Sequence, residues 1–135
     1  SYRHEVIVAN GALLAGHIHV GDGAFISGNV TVHQFVRIGP LTMIGGLSKV
    51  AKDVPPFMTL VGDSEVRGVN VVGLRRAGFG PEERKRIKKA YKLLYHSGLN
   101  VSNAIQALRE ADLGPEADRI VTFIEGSKRG ICRHG

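Results

Sequence analysis

Residues 13–39 read LLAGHIHVGDGAFISGNVTVHQFVRIG. The stretch is rich in glycine and β-branched residues, and three of the chain's six histidines, His17, His19 and His33, fall inside it. Every sixth residue along it is Ile, Leu or Val: Leu14, Val20, Ile26, Val32 and Ile38. The phase extends outward to Val8 on one side and to Ile44 and Val50 on the other. A fixed short period marks a repeat architecture and outranks local propensity as a guide to fold.

The neighbours keep the same period. One residue after each periodic apolar stand Ala9, Ala15, Gly21, Ser27, His33, Gly39, Gly45 and Ala51, all small except His33. Next come Asn10, Gly16, Asp22, Gly28, Gln34, Pro40, Gly46 and Lys52, mostly turn formers, and Gly, Asn and Asp tolerate positive φ. Two before each apolar, from Val6 to Ser48, the residues are small or β-branched. A unit with one inward apolar, a small partner and a corner predicts a parallel β-helix in which three units close one triangular coil. Residues 18 apart then stack, as Val8, Ile26 and Ile44 do in one column and Leu14, Val32 and Val50 in the next. An antiparallel sandwich of short strands is the rival, and the six-residue repeat disfavours it.

The repeat stops at Lys52-Asp53-Val54-Pro55-Pro56, where proline cannot donate to a ladder, so the pair is expected to end the coil. Residues 57–79 read as an extended connector. Pro81 then opens a helix in its favoured first position. Ile87, Ala90, Tyr91, Leu94 and Tyr95 form its apolar stripe, and Gly98 ends it. A second helix is expected over about 102–111 with Ile105 and Leu108 inward, and a third from Pro115 with Ile120, Val121 and Ile124 inward and Gly126 as its stop. The tail SKRGICRHG reads as frayed. The expected organisation is therefore a truncated coil of about three turns over 1–56, the connector 57–79, and a helical carboxy-terminal domain over 80–135. The repeat is already in phase at Tyr2 and Val8, so the chain reads as the back half of a longer β-helix whose first edge nothing in the sequence caps.

Composition narrows the function classes. With 43% hydrophobic and 22% charged residues the chain has a globular balance, and no apolar run approaches the roughly 20 residues that span a bilayer. No secretory h-region is visible, and the single Cys132 cannot form an internal disulfide, which together point to a cytoplasmic setting. A net charge of +6 points to an acidic partner. Tryptophan is absent and aromatics make up only 6%, so stacking platforms for single-stranded nucleic acid are scarce.

Candidate functional residues appear where the repeat contradicts itself. His33 and Gln34 both break the rule of their columns in one unit, VHQFVR, and local conflicts with a fold tend to mark function. His17 and His19 flank Ile18. A His-x-His pair can bind metal, but no carboxylate or cysteine set stands at matching spacing, so no metal is expected. His4, His96 and His134 have no supporting context. Asn70 with Arg75 and Arg76 forms a second group, since arginine forks fit phosphate. Arg84, Lys85, Arg86, Lys88, Lys89 and Lys92 load the first long helix with positive charge, opposed only by Glu82 and Glu83. Such a helix suits an acidic protein or nucleic-acid phosphates, or is simply a solvated face.

The ordered motifs LAGH at 14–17, VHQF at 32–35, GG at 45–46, DVPPF at 53–57, GVN at 68–70, GLRR at 73–76, GF at 78–79 and AYKLLYHSG at 90–98 resemble the acyl-carrier-protein–UDP-N-acetylglucosamine O-acyltransferases of lipid A biosynthesis. The resemblance covers nearly the whole chain. The coenzyme-A-dependent hexapeptide acetyltransferases lack this helical end. The resemblance implies a left-handed β-helix, a homotrimer with sites between subunits, and transfer of an acyl chain from an acidic carrier protein to the sugar 3-hydroxyl, with no cofactor. It implies that His17 lines the sugar-nucleotide and acyl site, that His33 and Gln34 contact the sugar nucleotide, and that Asn70 and Arg76 lie near the nucleotide and its diphosphate, with Arg75 beside them a substrate-binding candidate from the arginine pair. Gly46 matches the position that sets acyl-chain length. Arg84, Lys85, Lys88, Lys89 and Lys92 suit the carrier protein. The family's general-base histidine falls upstream of Ser1, so the chain alone is expected to be inactive. Val72 stands where the family often carries a carboxylate, and Ala77 replaces a frequent third basic residue. Two rivals remain: a non-catalytic trimeric scaffold or binding module, and a nucleic-acid binder using the basic helix, which the scarcity of aromatics disfavours.

Overall fold

The computed structural model describes residues 6–14 and 16–135; Tyr2, His4 and Ala15, which the sequence reading used, lie outside them. Eight two-residue strands follow the six-residue period: β1 (Ile7–Val8), β2 (Leu13–Leu14), β3 (His19–Val20), β4 (Phe25–Ile26), β5 (Thr31–Val32), β6 (Arg37–Ile38), β7 (Met43–Ile44) and β8 (Lys49–Val50). Each periodic apolar is the second residue of its strand. All pairing among these eight is parallel and joins residues 18 apart: Val8 with Ile26 and Ile44, Leu14 with Val32 and Val50, and Val20 with Ile38. The strands thus form three parallel faces, β1-β4-β7, β2-β5-β8 and β3-β6.

The interior takes two residues per unit. Ile26, Val32, Ile38, Ile44 and Val50 are buried, and so are Ala24, Val30, Val36, Thr42 and Ser48 from the column two residues earlier. Small or β-branched side chains fit there because they must share the narrow triangle with Ile or Val. The two hydroxyls are satisfied locally: Thr42 Oγ1 donates to the Gly39 carbonyl (3.0 Å) and Ser48 Oγ to that of Gly45 (2.6 Å). Val8 and Leu14, in the first turn, are about 40% exposed.

The corners fall one residue later than the sequence pattern suggested. Positive φ occurs at Gly11, His17, Gly23, Asn29, Phe35, Leu41 and Leu47, again every sixth residue. Each turn places its left-handed residue at the second of its two central positions rather than on the turn-former column before it, the position at which a type II turn carries positive φ. Asn10-Gly11 and Asp22-Gly23 therefore serve as coil corners and not as hairpin loops.

The prolines do not end the coil, contrary to expectation. Val54 pairs with Ile38, completing the third face, and Val54 N–H donates to the Arg37 carbonyl (2.9 Å). The chain turns at Phe57 (φ 73°), and β9 (Met58–Val61) adds to the first face beside β7 with Ile44 opposite Leu60. β9 then folds back antiparallel onto β10 (Glu65–Val69). The expected connector is thus a hairpin followed by α1 (Val71–Arg76). The turns stack closely at Gly39, whose missing Cβ would lie 2.6 Å from Pro56 N and 2.8 Å from its Cα. Gly39→Ala is therefore expected to cost a net ~1–2 kcal/mol, overpacking against backbone outweighing the entropic benefit of alanine. Urea denaturation reads this out, and an unchanged or higher midpoint would show that the turns can spread.

Three longer helices follow: α2 (Pro81–Tyr95), α3 (Val101–Ala111) and α4 (Pro115–Glu125). Pro81 and Pro115 open two of them. Asn100 caps the other, its Oδ1 accepting from Asn103 N–H (2.8 Å). Helix α2 packs on α3, α4 and β10, burying Ile87, Ala90, Tyr91 and Leu94. The tail is not frayed. Cys132 is fully buried, Asp53 bridges to Ile131, and β11 (Arg133–His134) pairs parallel with β10. Apolar Ile131 and Cys132 find the open end of the last turn, which the flanking charges masked in the sequence. No helix among the described residues is long and apolar enough to cross a membrane.

Candidate functional site

The predicted site residues sit on different parts of the coil. His17, His33 and Gln34 occupy the corner between the β2-β5-β8 and β3-β6 faces, and all three are exposed. His17 is held in the left-handed region (φ 56°), and its ring stacks on Phe35, one turn along, at 5.8 Å and 16°. Phe35 is itself left-handed (φ 68°) and 63% exposed. A bulky residue there costs about 1–2 kcal/mol, and burial does not offset it, unlike at Leu41 and Phe57, which are buried. Unrecovered strain of this kind concentrates at functional sites. Gly46 lies at a second corner, between the β1-β4-β7 and β2-β5-β8 faces, with only the Gly28 carbonyl near a would-be Cβ (3.6 Å). Leu47 beside it is also left-handed (φ 63°) and 76% exposed. Phe35 and Leu47 were missed in the sequence. Their column, Gly11, His17, Gly23, Asn29, Phe35, Leu41 and Leu47, holds the signal, since Phe and Leu replace turn formers in it.

Asn70 and Arg76 border a cavity of about 480 Å³ on the outer side of the β4-β7-β9 face. Phe25, Met43 and Thr59 supply its floor, the outward residues of three stacked strands, and Val69, Val71 and Val72 its wall. Asn70 makes the wall possible. Its Oδ1 accepts from Gly73 N–H (3.2 Å), capping α1, and its Nδ2 donates to the Leu41 carbonyl (2.9 Å), pinning α1 to the coil. Both polar atoms of this buried side chain thus have partners within the chain. Arg75 and Arg76 follow in the last turn of α1 and are exposed, favourably placed at a helix carboxyl end. Arg76 reaches the cavity; Arg75 is not among its lining residues.

The basic residues of α2 divide. Arg84, Lys85 and Lys88 line a groove of about 520 Å³ against β10, together with Arg67, Tyr91, Val69 and Val71. Arg84 Nη1 donates to the Phe79 carbonyl (2.6 Å), which steadies it. Lys89 and Lys92 are exposed on the same helix without lining the groove. Arg67 joins this charge from β10 and was not foreseen. His19 lies in a cleft between the β3-β6 face and α4. Cys132 offers no nucleophile: burial pushes its thiol up to about 12. Among the described residues no group of three or more His, Cys, Asp or Glu is placed to hold a metal ion.

The corner of His17, His33 and Gln34, the corner of Gly46 and the cavity beside Arg76 are therefore separate surfaces of one chain. Each is concave or strained, and each faces outward from the triangle.

Residues 53–132 match the family described as Udp N-acetylglucosamine O-acyltransferase, Domain 2. The acyl-[acyl-carrier-protein]–UDP-N-acetylglucosamine O-acyltransferase of Burkholderia lata is 45% identical over 136 residues, taking in 96% of this chain and 52% of that protein. Among solved structures, the UDP-N-acetylglucosamine acyltransferase of Francisella novicida superposes with a TM-score of 0.90 at 41% identity, over 95% of this chain and 48% of that one. The Campylobacter jejuni enzyme superposes with a TM-score of 0.89 at 34% identity, over 96% and 51%. The chain spans about half the length of the relatives it matches. From the stacked coil, the ordered motifs and a match across more than half its residues, it follows that this chain belongs to the UDP-N-acetylglucosamine O-acyltransferase family.

Proposed function

We propose that the chain forms the sugar-nucleotide-facing and carrier-facing part of an acyltransferase of lipid A biosynthesis. In it an acyl chain passes from acyl carrier protein to the 3-hydroxyl of UDP-N-acetylglucosamine. The coil is left-handed, ends in the helical domain, and assembles as a homotrimer in the cytoplasm. The observation that carries the reading is the cavity beside α1. Phe25 and Met43 of its floor and Arg76 line the same cavity, so one surface offers both an acyl trough and an anion contact.

Trimer formation gives the separate surfaces a common purpose. The strained corners project outward, and packing three coils side by side brings the His17, His33 and Gln34 corner of one copy toward the Asn70 and Arg76 edge of the next. His33 and Gln34 then hold the sugar, Arg75 and Arg76 the diphosphate, and Asn70 the placement of that edge. The open corner at Gly46 admits the far end of a longer acyl chain. The groove of Arg84, Lys85 and Lys88, with Lys89 and Lys92 beside it, receives the acidic carrier protein. In this division of labour the chain's residues bind and orient, and none of them is assigned the general base, a group whose pKa should lie near working pH.

Calorimetric titration of the trimeric chain with UDP-N-acetylglucosamine tests the reading. Binding is expected, and Arg76→Ala is expected to weaken it about tenfold, the loss of one charge-assisted phosphate contact. Absence of binding by a confirmed trimer would leave a scaffold.

A further inference from the structure

We propose that Arg129, in the tail, is a positioning residue for the His33–Gln34 corner. The inference rests on the reading above that this corner meets the sugar nucleotide. It comes from a gap in the corner hydrogen bonding. At three other corners the carbonyl one residue before the left-handed position accepts an N–H from the corner of the next turn, while at a fourth Phe35 N–H donates to the carbonyl of left-handed His17 itself (3.1 Å). Leu41 N–H donates to Asp22 (2.9 Å), Leu47 to Gly28 (3.1 Å) and Phe57 to Pro40 (2.9 Å). The carbonyl of Gln34 is the equivalent group, but the next circuit is two residues shorter here: Val50 pairs with Val32, 18 residues back, whereas Val54 pairs with Ile38, 16 back, so no residue stands opposite Phe35 to donate. Asp53, opposite Arg37, donates its N–H to the Gly130 carbonyl (3.1 Å).

Arg129 fills the vacancy. Its Nη2 donates to the Gln34 carbonyl (2.7 Å) and its Nη1 to the Ala51 carbonyl (3.0 Å), so one planar guanidinium ties the corner to the following turn. The segment that carries it is anchored separately, by Ser127 Oγ donating to Asp53 Oδ2 (2.7 Å). A fixed fork spanning two carbonyls restrains both at once, which a single ammonium does not. The corner it restrains is one of the strained ones, where His17 stacks on Phe35 and where His33 and Gln34 break the repeat.

Hydrogen exchange read by mass spectrometry on the full 135-residue chain tests this without any ligand. Arg129→Ala is expected to speed exchange of the amides at 33–36 about tenfold, the loss of a charge-assisted hydrogen bond, and to leave those of β7 unchanged. Arg129→Lys should recover only part of the protection, and Ser127→Ala should loosen the tail while sparing the corner. UDP-N-acetylglucosamine affinity should fall about tenfold in Arg129→Ala as the corner loosens. Unchanged exchange at 33–36 in Arg129→Ala overturns the proposal, and so does equal loosening of the corner by Ser127→Ala. So does full affinity in Arg129→Ala when the wild type binds. If the wild type fails to bind the sugar nucleotide, the functional reading falls, and the exchange data still decide what Arg129 does.

Discussion

Ile44→Ala is expected to destabilise the chain by about 3–4 kcal/mol, lowering its melting temperature by roughly 10 °C. Ile44 has no exposed surface. It lies mid-column, between Ile26 in the turn before and Leu60 in the turn after. Truncation removes three carbons from a space bounded by backbone on three faces. The ladders on those faces cannot contract around the hole, because the spacing of the turns is set by their hydrogen bonds. The cavity therefore stays open, and the cost falls in the upper part of the range for buried aliphatics. Thermal melts followed by circular dichroism, at matched protein concentration, measure it. A loss below about 1 kcal/mol would mean that the triangle collapses locally, against the rigid coil described above.

Asn70→Asp is expected to cost about 2–3 kcal/mol at neutral pH although it changes few atoms. The cap on Gly73 survives, since a carboxylate accepts as the amide oxygen does. The bond to the Leu41 carbonyl does not, because Nδ2 is its donor at 2.9 Å and the replacement puts oxygen against oxygen. The position is 9% exposed, so water does not relieve the contact. Burial and the facing carbonyl hold the folded carboxyl above its unfolded value of about 3.9. A raised folded pKa sets the sign. The protonated acid can donate to Leu41, so the deficit against wild type is small below the unfolded value. It grows as pH rises through the folded one. The gap between the urea midpoints of the two proteins should narrow from pH 7 to pH 4.5. A gap that does not change with pH would show that the Leu41 bond contributes little.

What the sequence disclosed depended on how many residues carried each signal. Eight apolars in phase made the coil plain, and Pro81 and Pro115 marked two helices to the residue. Helix α1 was hidden because six residues between glycines show less than two turns of periodicity. Proline's missing donor suggested an end to the coil, yet Val54 and β9 carry the pairing on either side of Pro55 and Pro56, where none is needed. The candidate site was half legible. His33 and Gln34 stood out by breaking a column. Asn70 was singled out beside the arginines, while its cap on α1 and bond to Leu41 became visible only in three dimensions. Arg129 lies 95 residues from the Gln34 carbonyl it holds, and no local pattern links them.

The stacking of residues 18 apart has a consequence for how such a chain can change length. Loss or gain of a whole circuit leaves every later residue on its original side, so His33, Gly46 and the Arg76 edge keep their relative bearings. A change of one six-residue unit turns everything downstream by a third of a revolution, and the same side chains then look out in a new direction. A length between these steps has to be absorbed at a corner, as in the last circuit, where Ile38 pairs with Val54 and Ile44 with Leu60, 16 residues on. Evolution of this coil is therefore quantised: it can grow by full circuits without disturbing its surfaces, and any other insertion has to bulge out at a corner.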